Sequence, residues 1–116
     1  MKYVSPEYID EIGVASGLKD ATSDEDVINV VLSAIYHCDT QFAADALLEA
    51  YQKVSGVNRL YLGNITQTFL GMHCTAYRID ELIAEMRKEG PDPIQMSDNI
   101  EAAVEYKAMF KHKPSH

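Results

Sequence analysis

Eight apolar residues in the second half of the chain follow one another at alternating steps of three and four, which is a heptad pattern. They are Leu62, Ile65, Phe69, Met72, Ala76, Ile79, Ile83 and Met86. Steps of three and four return to the same side of an α-helix, so these residues form one apolar stripe. The pattern predicts a single helix over residues 59–89, about 45 Å long. Asn58 would cap its start, and Gly90 and Pro91 would end it.

The first half of this predicted helix is uncharged, because no Asp, Glu, Lys or Arg occurs between Leu60 and Tyr77. A helix that is neutral on every side is normally surrounded by protein. Gly63 and Gly71 would let a neighbouring backbone approach closely, and Gly71 is where a break would cost least, since Gly is about 1 kcal/mol worse than Ala inside a helix. We therefore predict that this segment is the hub of a helical bundle or, through its 60–77 face, the interface of a homodimer.

Two shorter helices are predicted upstream of this segment. Thr22 and Glu25 have capping-box spacing and begin the first helix, and Asp39 caps the second, which ends before Ser55 and Gly56. Apolar residues recur in both segments at steps of three and four. Because almost no chain separates the two helices, we expect them to pack side by side as an antiparallel hairpin.

The two ends of the chain give weaker signals. A short helix is predicted over residues 6–12, with Gly13 and Gly17 loosening the chain after it. A last helix is predicted to begin at a cap formed by Ser97 or Asp98.

Taken together, these segments predict an all-α protein, a single-domain bundle of about five helices over residues 1–116 with a frayed tail at 111–116. Apolar residues make up 47% of the chain, which is enough to form a core in a domain of this size.

The formal net charge of −8 is concentrated in the first half of the chain. Residues 1–58 hold ten acidic residues against three lysines, whereas residues 59–116 hold eight acidic against seven basic residues. Such an acidic half repels phosphate, so direct nucleic-acid binding is not expected there. We expect a basic protein partner instead. The residues predicted to form the partner-binding surface are Asp24, Asp26, Asp39, Asp45 and Glu49.

Side chains with catalytic or metal-binding potential are few. Histidine and cysteine occur as two adjacent pairs and in the C-terminal tail, at His37, Cys38, His73, Cys74, His112 and His116. Neighbours on a helix point about 100° apart, so neither pair can chelate a metal as a unit, and no Cys-x-x-Cys motif is present. The pairs are 36 residues apart, but too few other positions match to predict a repeat protein.

The remaining charged residues are explained by helix structure. On an exposed helix face, Asp80, Glu81 and Glu85 are predicted to pair with nearby bases, which are Arg78, Arg87 and Lys88. We therefore predict no catalytic residues, no metal and no cofactor. The chain shows no secretory segment and no apolar run that could span a membrane, which predicts a cytoplasmic protein with reduced thiols.

One stretch points to another class of function. Residues 70–78 read Leu-Gly-Met-His-Cys-Thr-Ala-Tyr-Arg. This stretch resembles the turn and recognition helix of Fis-type and IclR-type helix-turn-helix DNA-binding domains, and the resemblance covers about residues 60–82. It implies that Thr75, Tyr77 and Arg78 contact DNA.

The favoured hypothesis is a small, acidic, non-enzymatic helical module that binds a basic protein. Its size, its acidity and its lack of catalytic residues are typical of inhibitors of nucleic-acid-binding proteins, including phage-encoded proteins that block host defence. The alternatives are the helix-turn-helix regulator and, in third place, a small enzyme or metal-binding protein.

Overall fold

The computed structural model describes residues 8–88 and 93–112, and this part of the chain is all-helical with no strand. It contains six α-helices and, between the third and fourth, the 3₁₀ turn Gly56–Asn58. The helices are α1 (Glu11–Asp20), α2 (Asp24–His37), α3 (Thr40–Lys53), α4 (Arg59–His73), α5 (Ile79–Arg87) and α6 (Pro93–His112).

The helices stack as antiparallel hairpins in two layers. The principal helix–helix contacts join either successive helices or helices two apart in the chain. Helices α1, α3 and α5 therefore form one layer, and α2, α4 and α6 form the other. The molecule is 21 Å across its thinnest dimension, which is about two helix diameters. The pairs His37-Cys38 and His73-Cys74 lie at corresponding ends of α2 and α4, as successive hairpins of a stack require.

Side-chain caps fix the starts of the first three helices. The carboxylate of Asp10 accepts a hydrogen bond from the Gly13 amide at 2.8 Å, and that of Asp39 accepts one from the Phe42 amide at 3.0 Å. The Ser23 hydroxyl accepts one from the Asp26 amide at 3.1 Å. These bonds satisfy amides that have no partner within the helix. Asp39 was predicted to be a cap, and this prediction is confirmed.

The predicted starts of α1 and α2 are both wrong. The capping residue of α2 is Ser23 and not Thr22, whose hydroxyl bonds instead to the Asp26 carboxylate. The first helix begins at Glu11 and continues to Asp20, whereas a helix over residues 6–12 was expected; residues 1–7 lie outside the described part of the chain.

Gly17 supports the longer first helix instead of loosening it. A Cβ atom at this position would lie 2.9 Å from Cγ2 of Val30, so glycine is what lets α1 lie close to α2. The predicted hairpin of α2 and α3 is confirmed: the two helices are in contact along their length, and only Cys38 and Asp39 separate them.

The prediction of one long helix over residues 59–89 is wrong. Helix α4 ends at His73, and five residues lead to the start of α5 at Ile79. Cys74 and Arg78 both adopt left-handed backbone conformations, with φ of 49° and 53°. Between them the Thr75 hydroxyl accepts a hydrogen bond from the Tyr77 amide at 3.0 Å, a local turn that competes with the helix.

The heptad pattern could not reveal this break, because each half of it is satisfied by a separate helix. Leu62, Ile65 and Phe69 are buried on α4, and Ile79, Ile83 and Met86 are buried on α5. A continuous helix over 59–89 would be about 45 Å long, more than the 41 Å of the longest molecular dimension. Folding back lets both segments share one core.

Helix α4 is the hub that its neutral composition predicted, since it contacts α2, α3, α5 and α6. Gly63 provides the expected close approach, because a Cβ there would lie 2.7 Å from Nδ2 of Asn99 on α6. Gly71 does neither of the things expected of it. It is helical, in the last turn of α4 before Cys74, and a Cβ added there would meet nothing within 4 Å.

The last helix begins earlier than predicted. Helix α6 starts at Pro93, so Ser97 and Asp98 lie inside it and do not cap it. Residues 111 and 112 of the predicted frayed tail are helical, and the remainder, 113–116, together with the turn at Gly90 and Pro91, lies outside the described residues.

Candidate functional site

Helix α3 lies in the middle of its layer and exposes only a narrow stripe. Half of its fourteen residues are buried. Its exposed residues are Gln41, Asp45, Glu49, Gln52 and Lys53, and the first four are spaced at steps of four, four and three along one side of the helix. Two of the five acidic residues predicted to bind a partner, Asp45 and Glu49, therefore occupy the solvent-facing side of the central helix.

Helix α5 runs beside this stripe in the same direction as α3. Arg78, just before α5, contacts Asp45, and Glu85 in the last turn of α5 contacts Gln52, about two turns further along α3. The two helices enclose an open groove of about 440 Å³. The ionisable side chains that line it are Asp45, Glu49, Glu81, Glu85, Arg78 and Lys88. Four carboxylates against two cations leave the lining with an excess of negative charge, although Arg59 pairs with Glu85 from beneath and Lys53 lies one turn beyond Glu49.

Arg78 spans the mouth of the groove. Its Nη1 donates to Oδ1 of Asp45 at 2.7 Å, and its Nε and Nη2 donate to the two carboxylate oxygens of Glu81 at 2.9 and 2.5 Å. These charge-assisted bonds raise the pKa of Arg78, and the bond to Glu81 contributes more than the bond to Asp45. The hydrogen bond from Arg78 lowers the pKa of Glu81. The predicted pairing of Arg78 with an acidic residue three positions later is confirmed.

Glu85 forms the floor of the groove and is buried, although it was expected on an exposed face. Its carboxylate accepts hydrogen bonds from Gln52 at 2.6 Å, Lys88 at 2.9 Å and Arg59 at 3.3 Å. Burial acts to raise the pKa of Glu85, but the bonds from Lys88, Arg59 and Gln52 together lower it. Glu85 therefore stays charged because its partners hold it.

Arg59, the first residue of α4, connects the floor of the groove to the ends of α3 and α5. Its guanidinium donates to the carbonyl of Tyr51 at 2.6 Å, that of Val54 at 3.4 Å and that of Glu85 at 2.9 Å. It also lies 5.2 Å from the centre of the Tyr51 ring. These carbonyls belong to the C-terminal ends of α3 and α5, where helical carbonyls lack partners. Arg59 thus fixes the spacing of the two helices that form the groove.

Glu49 differs from the other carboxylates of the groove. Among the described residues, no ion pair or hydrogen bond engages its side chain, which is exposed one turn beyond Asp45 on α3. It is therefore a carboxylate available to an incoming cation.

The other three predicted acidic residues lie elsewhere. Asp24 and Asp26 are in the first turn of α2, where Asp24 accepts a hydrogen bond from Asn58 at 3.1 Å and Asp26 accepts one from Thr22. Asp39 caps α3 at the opposite end of α2, about 20 Å away. The structure therefore brings together Asp45 and Glu49 but not the set of five.

Asp39 belongs instead to an acidic corner that the sequence analysis did not identify, with Asp10 and Glu11 at the start of α1. The pKa of Glu11 is raised. Desolvation is the largest cause, and the hydrogen bond to Asp39 and the charges of Asp39 and Asp10 add to it. Burial and the same three acidic residues raise the pKa of Cys38. This environment favours the thiol over the nucleophilic thiolate.

The remaining histidine–cysteine pair is part of the structure of the bundle. His73 Nε2 donates to the Ile35 carbonyl at 2.7 Å, so its Nδ1 is free to accept from the Thr40 hydroxyl at 2.9 Å. His73 thereby ties the end of α4 to the turn between α2 and α3, while Cys74 is exposed. The described residues contain no group of three or more His, Cys, Asp or Glu side chains placed to hold a metal ion.

The residues that the helix-turn-helix resemblance implicates do not lie on a recognition helix. The chain is still helical at Gly71, where the resemblance places a turn, and Thr75, Tyr77 and Arg78 lie in the connection between α4 and α5. The side chain of Arg78 is bound to two carboxylates, and the Thr75 hydroxyl accepts from the Tyr77 amide. DNA binding by these residues remains a prediction.

In the described part of the chain, none of the helices combines the length and apolar content needed to cross a membrane. No protein-family model, curated protein or solved structure shows a significant match to the chain.

Proposed function

We propose that the protein is a non-enzymatic binding module that takes basic side chains of a protein partner into the groove between α3 and α5. The observation that carries the proposal is the position of Glu49, a carboxylate with no ion pair to the described residues, beside three others in an open groove. Charge complementarity of this kind steers a partner of opposite sign and fixes its orientation.

The rigid floor supports the same proposal. Arg59 and Glu85 hold the two helices at a fixed spacing. The carboxylates at the rim of the groove, which are those of Asp45, Glu49 and Glu81, therefore need little reorganisation to bind. Preorganised charges bind more tightly than mobile ones because less entropy is lost on association. Stacked helical hairpins also present extended surfaces that suit protein recognition. In the extended form of the proposal, the groove covers a basic nucleic-acid-binding surface and the protein acts as an inhibitor.

The test is charge reversal in the groove, with a hexa-arginine peptide labelled with fluorescein as the probe. Asp45→Lys combined with Glu49→Lys is expected to weaken binding tenfold or more, because it removes two carboxylates and introduces repulsion. Glu101→Lys combined with Glu105→Lys is the matched control. It makes the same change of charge at the same i,i+4 spacing on exposed positions of α6.

Fluorescence anisotropy in 0.15 M salt measures the two affinities. A control pair that weakens binding as much as the groove pair would show that the peptide responds to net charge alone, and the proposal would be wrong. Reversal of Asp24 and Asp26 in the same assay tests whether the binding surface extends beyond the groove to α2.

A homodimer through the 60–77 face stays a second proposal. The exposed residues of α4 within it are uncharged, and the side chain of Met72 is 48% exposed among them. Two copies of a protein with a net charge of −8 can approach most easily through a neutral face. Sedimentation equilibrium should show a dimer that Met72→Glu dissociates; a monomer for the unmodified chain at 100 μM, roughly the upper end of useful affinities, would contradict it.

A further inference from the structure

We infer that Arg78 is an intramolecular occupant of the groove, and that an arginine side chain of the partner takes its place on Asp45 and Glu81. The inference rests on the proposed function and specifies what the groove recognises. It makes Arg78 a residue that lowers affinity, so removing it should strengthen binding.

The first argument is the geometry around the Arg78 guanidinium. Two of its nitrogens face the two oxygens of Glu81, and a third nitrogen faces Asp45 on the neighbouring helix. This bidentate arrangement matches the planar fork of arginine and not the single ammonium of lysine. The carboxylates of Asp45 and Glu81 are therefore positioned to bind an arginine side chain.

The second argument is that Arg78 can be displaced at low cost. Its side chain is 34% exposed, and those of Asp45 and Glu81 are 51% and 56% exposed. Water and salt screen ion pairs at such exposure, so even a bidentate pair there is held less firmly than a buried one. The arginine at the floor is different, because the side chains of Arg59 and Glu85 are only 12% and 11% exposed and are held by several bonds. Exchange of Arg78 for an arginine of the partner is therefore confined to Asp45 and Glu81, and Arg59 stays in place.

The third argument is the order of charges along α3. Glu49 forms no ion pair within the described part of the chain, and it lies one turn from Asp45, which is paired with Arg78. An incoming basic chain can contact Glu49 first and then compete with Arg78 for Asp45 and Glu81. Because the competitor is part of the same chain, its effective concentration is high, and it reduces the apparent affinity of any external arginine.

The test compares Arg78→Gln and Arg78→Lys with the unmodified protein, using the hexa-arginine peptide and anisotropy in 0.15 M salt. Arg78→Gln is expected to bind the peptide about fivefold more tightly, because the rim carboxylates are vacated. Arg78→Lys keeps the net charge but cannot form the bidentate contact, so a gain of about threefold is expected.

Arg87→Gln is the matched control, since it removes the same charge from an exposed position of α5 outside the groove. Equal gains for Arg78→Gln and Arg87→Gln would reduce the effect to net charge and overturn the inference. Weaker binding by Arg78→Gln would also overturn it, because Arg78 would then help to bind the peptide. Thermal unfolding by circular dichroism establishes that each variant is folded.

The outcomes separate the two proposals. If reversal of Asp45 and Glu49 weakens binding but neither Arg78 variant strengthens it, the groove is the binding site and the displacement of Arg78 is wrong. If none of the proteins binds the peptide, both the proposed function and the inference are wrong.

Discussion

Replacing Arg59 by methionine removes the cation beneath the groove while keeping a long apolar side chain in its place. The change deletes four hydrogen bonds, three to carbonyl oxygens at the ends of α3 and α5 and one to the carboxylate of Glu85. It also leaves Glu85 buried with one cation fewer.

Breaking a buried ion pair by removing one partner typically costs about 3–5 kcal/mol. Glu85 keeps its bonds to Gln52 and Lys88, which places the expected loss at the lower end, about 3 kcal/mol. Against a typical total stability of about 5–15 kcal/mol, this is a large fraction.

Urea unfolding followed by circular dichroism measures the loss as a lower midpoint at an unchanged slope. Arg87→Met is the control, because it makes the same substitution at an exposed residue and should change stability by less than about 0.5 kcal/mol. A loss below about 1 kcal/mol for Arg59→Met would refute the reasoning, since water or Lys88 would then be replacing Arg59 without cost.

Three further predictions concern stability. Gly71→Ala should stabilise the protein by up to about 1 kcal/mol, because the added Cβ meets nothing within 4 Å. Gly63→Ala should destabilise the protein, because its Cβ would lie 2.7 Å from Asn99. Stability changes of the same sign for both variants in thermal unfolding would contradict this prediction. Phe69→Ala should cost about 3–5 kcal/mol because Phe69 is 0% exposed, and an unchanged urea midpoint would contradict its place in the core. The pKa of Glu85 is lowered by folding, so its contribution to stability is complete above its ordinary value of 4.5 and is lost as the pH falls towards the lower folded pKa. Below pH 4.5 the stability of Glu85→Gln should therefore fall less steeply than that of the unmodified protein, and parallel curves would contradict the assignment.

The elements that local chemistry specifies could be predicted from the sequence. Asp39 caps α3 because its carboxylate reaches the amide three residues later, a contact that depends on nearby residues only. The α2–α3 hairpin follows from its short connection. The neutral composition of α4 predicted a helix with many neighbours, and α4 contacts four other helices, although one side of it, which includes Met72, is exposed.

The break between α4 and α5 could not be predicted in the same way. The heptad steps continue through Ala76 because apolar residues on two successive helices can keep the same spacing as those on one. What decides between the two folds is the shared core, which is a long-range property. The local signs of the break, the Thr75 turn and the left-handed Cys74, carry no distinctive sequence pattern.

The acidic surface was predicted only in part, for a related reason. Net charge shows how many carboxylates a segment carries, but not which helices lie side by side. Asp45 and Glu49 share a groove with Glu81 because α3 and α5 run parallel, although more than 30 residues separate Asp45 from Glu81 in sequence. Asp24 and Asp26 come earlier in the same acidic half, yet they lie at the start of α2.

The most direct test of the groove as the binding site is an NMR titration of the ¹⁵N-labelled protein with the hexa-arginine peptide. The account predicts that the largest amide shift changes occur at Asp45, Glu49, Arg78 and Glu81, on the two sides of the groove. Shift changes centred on the first turn of α2, or spread evenly over all acidic residues, would contradict it.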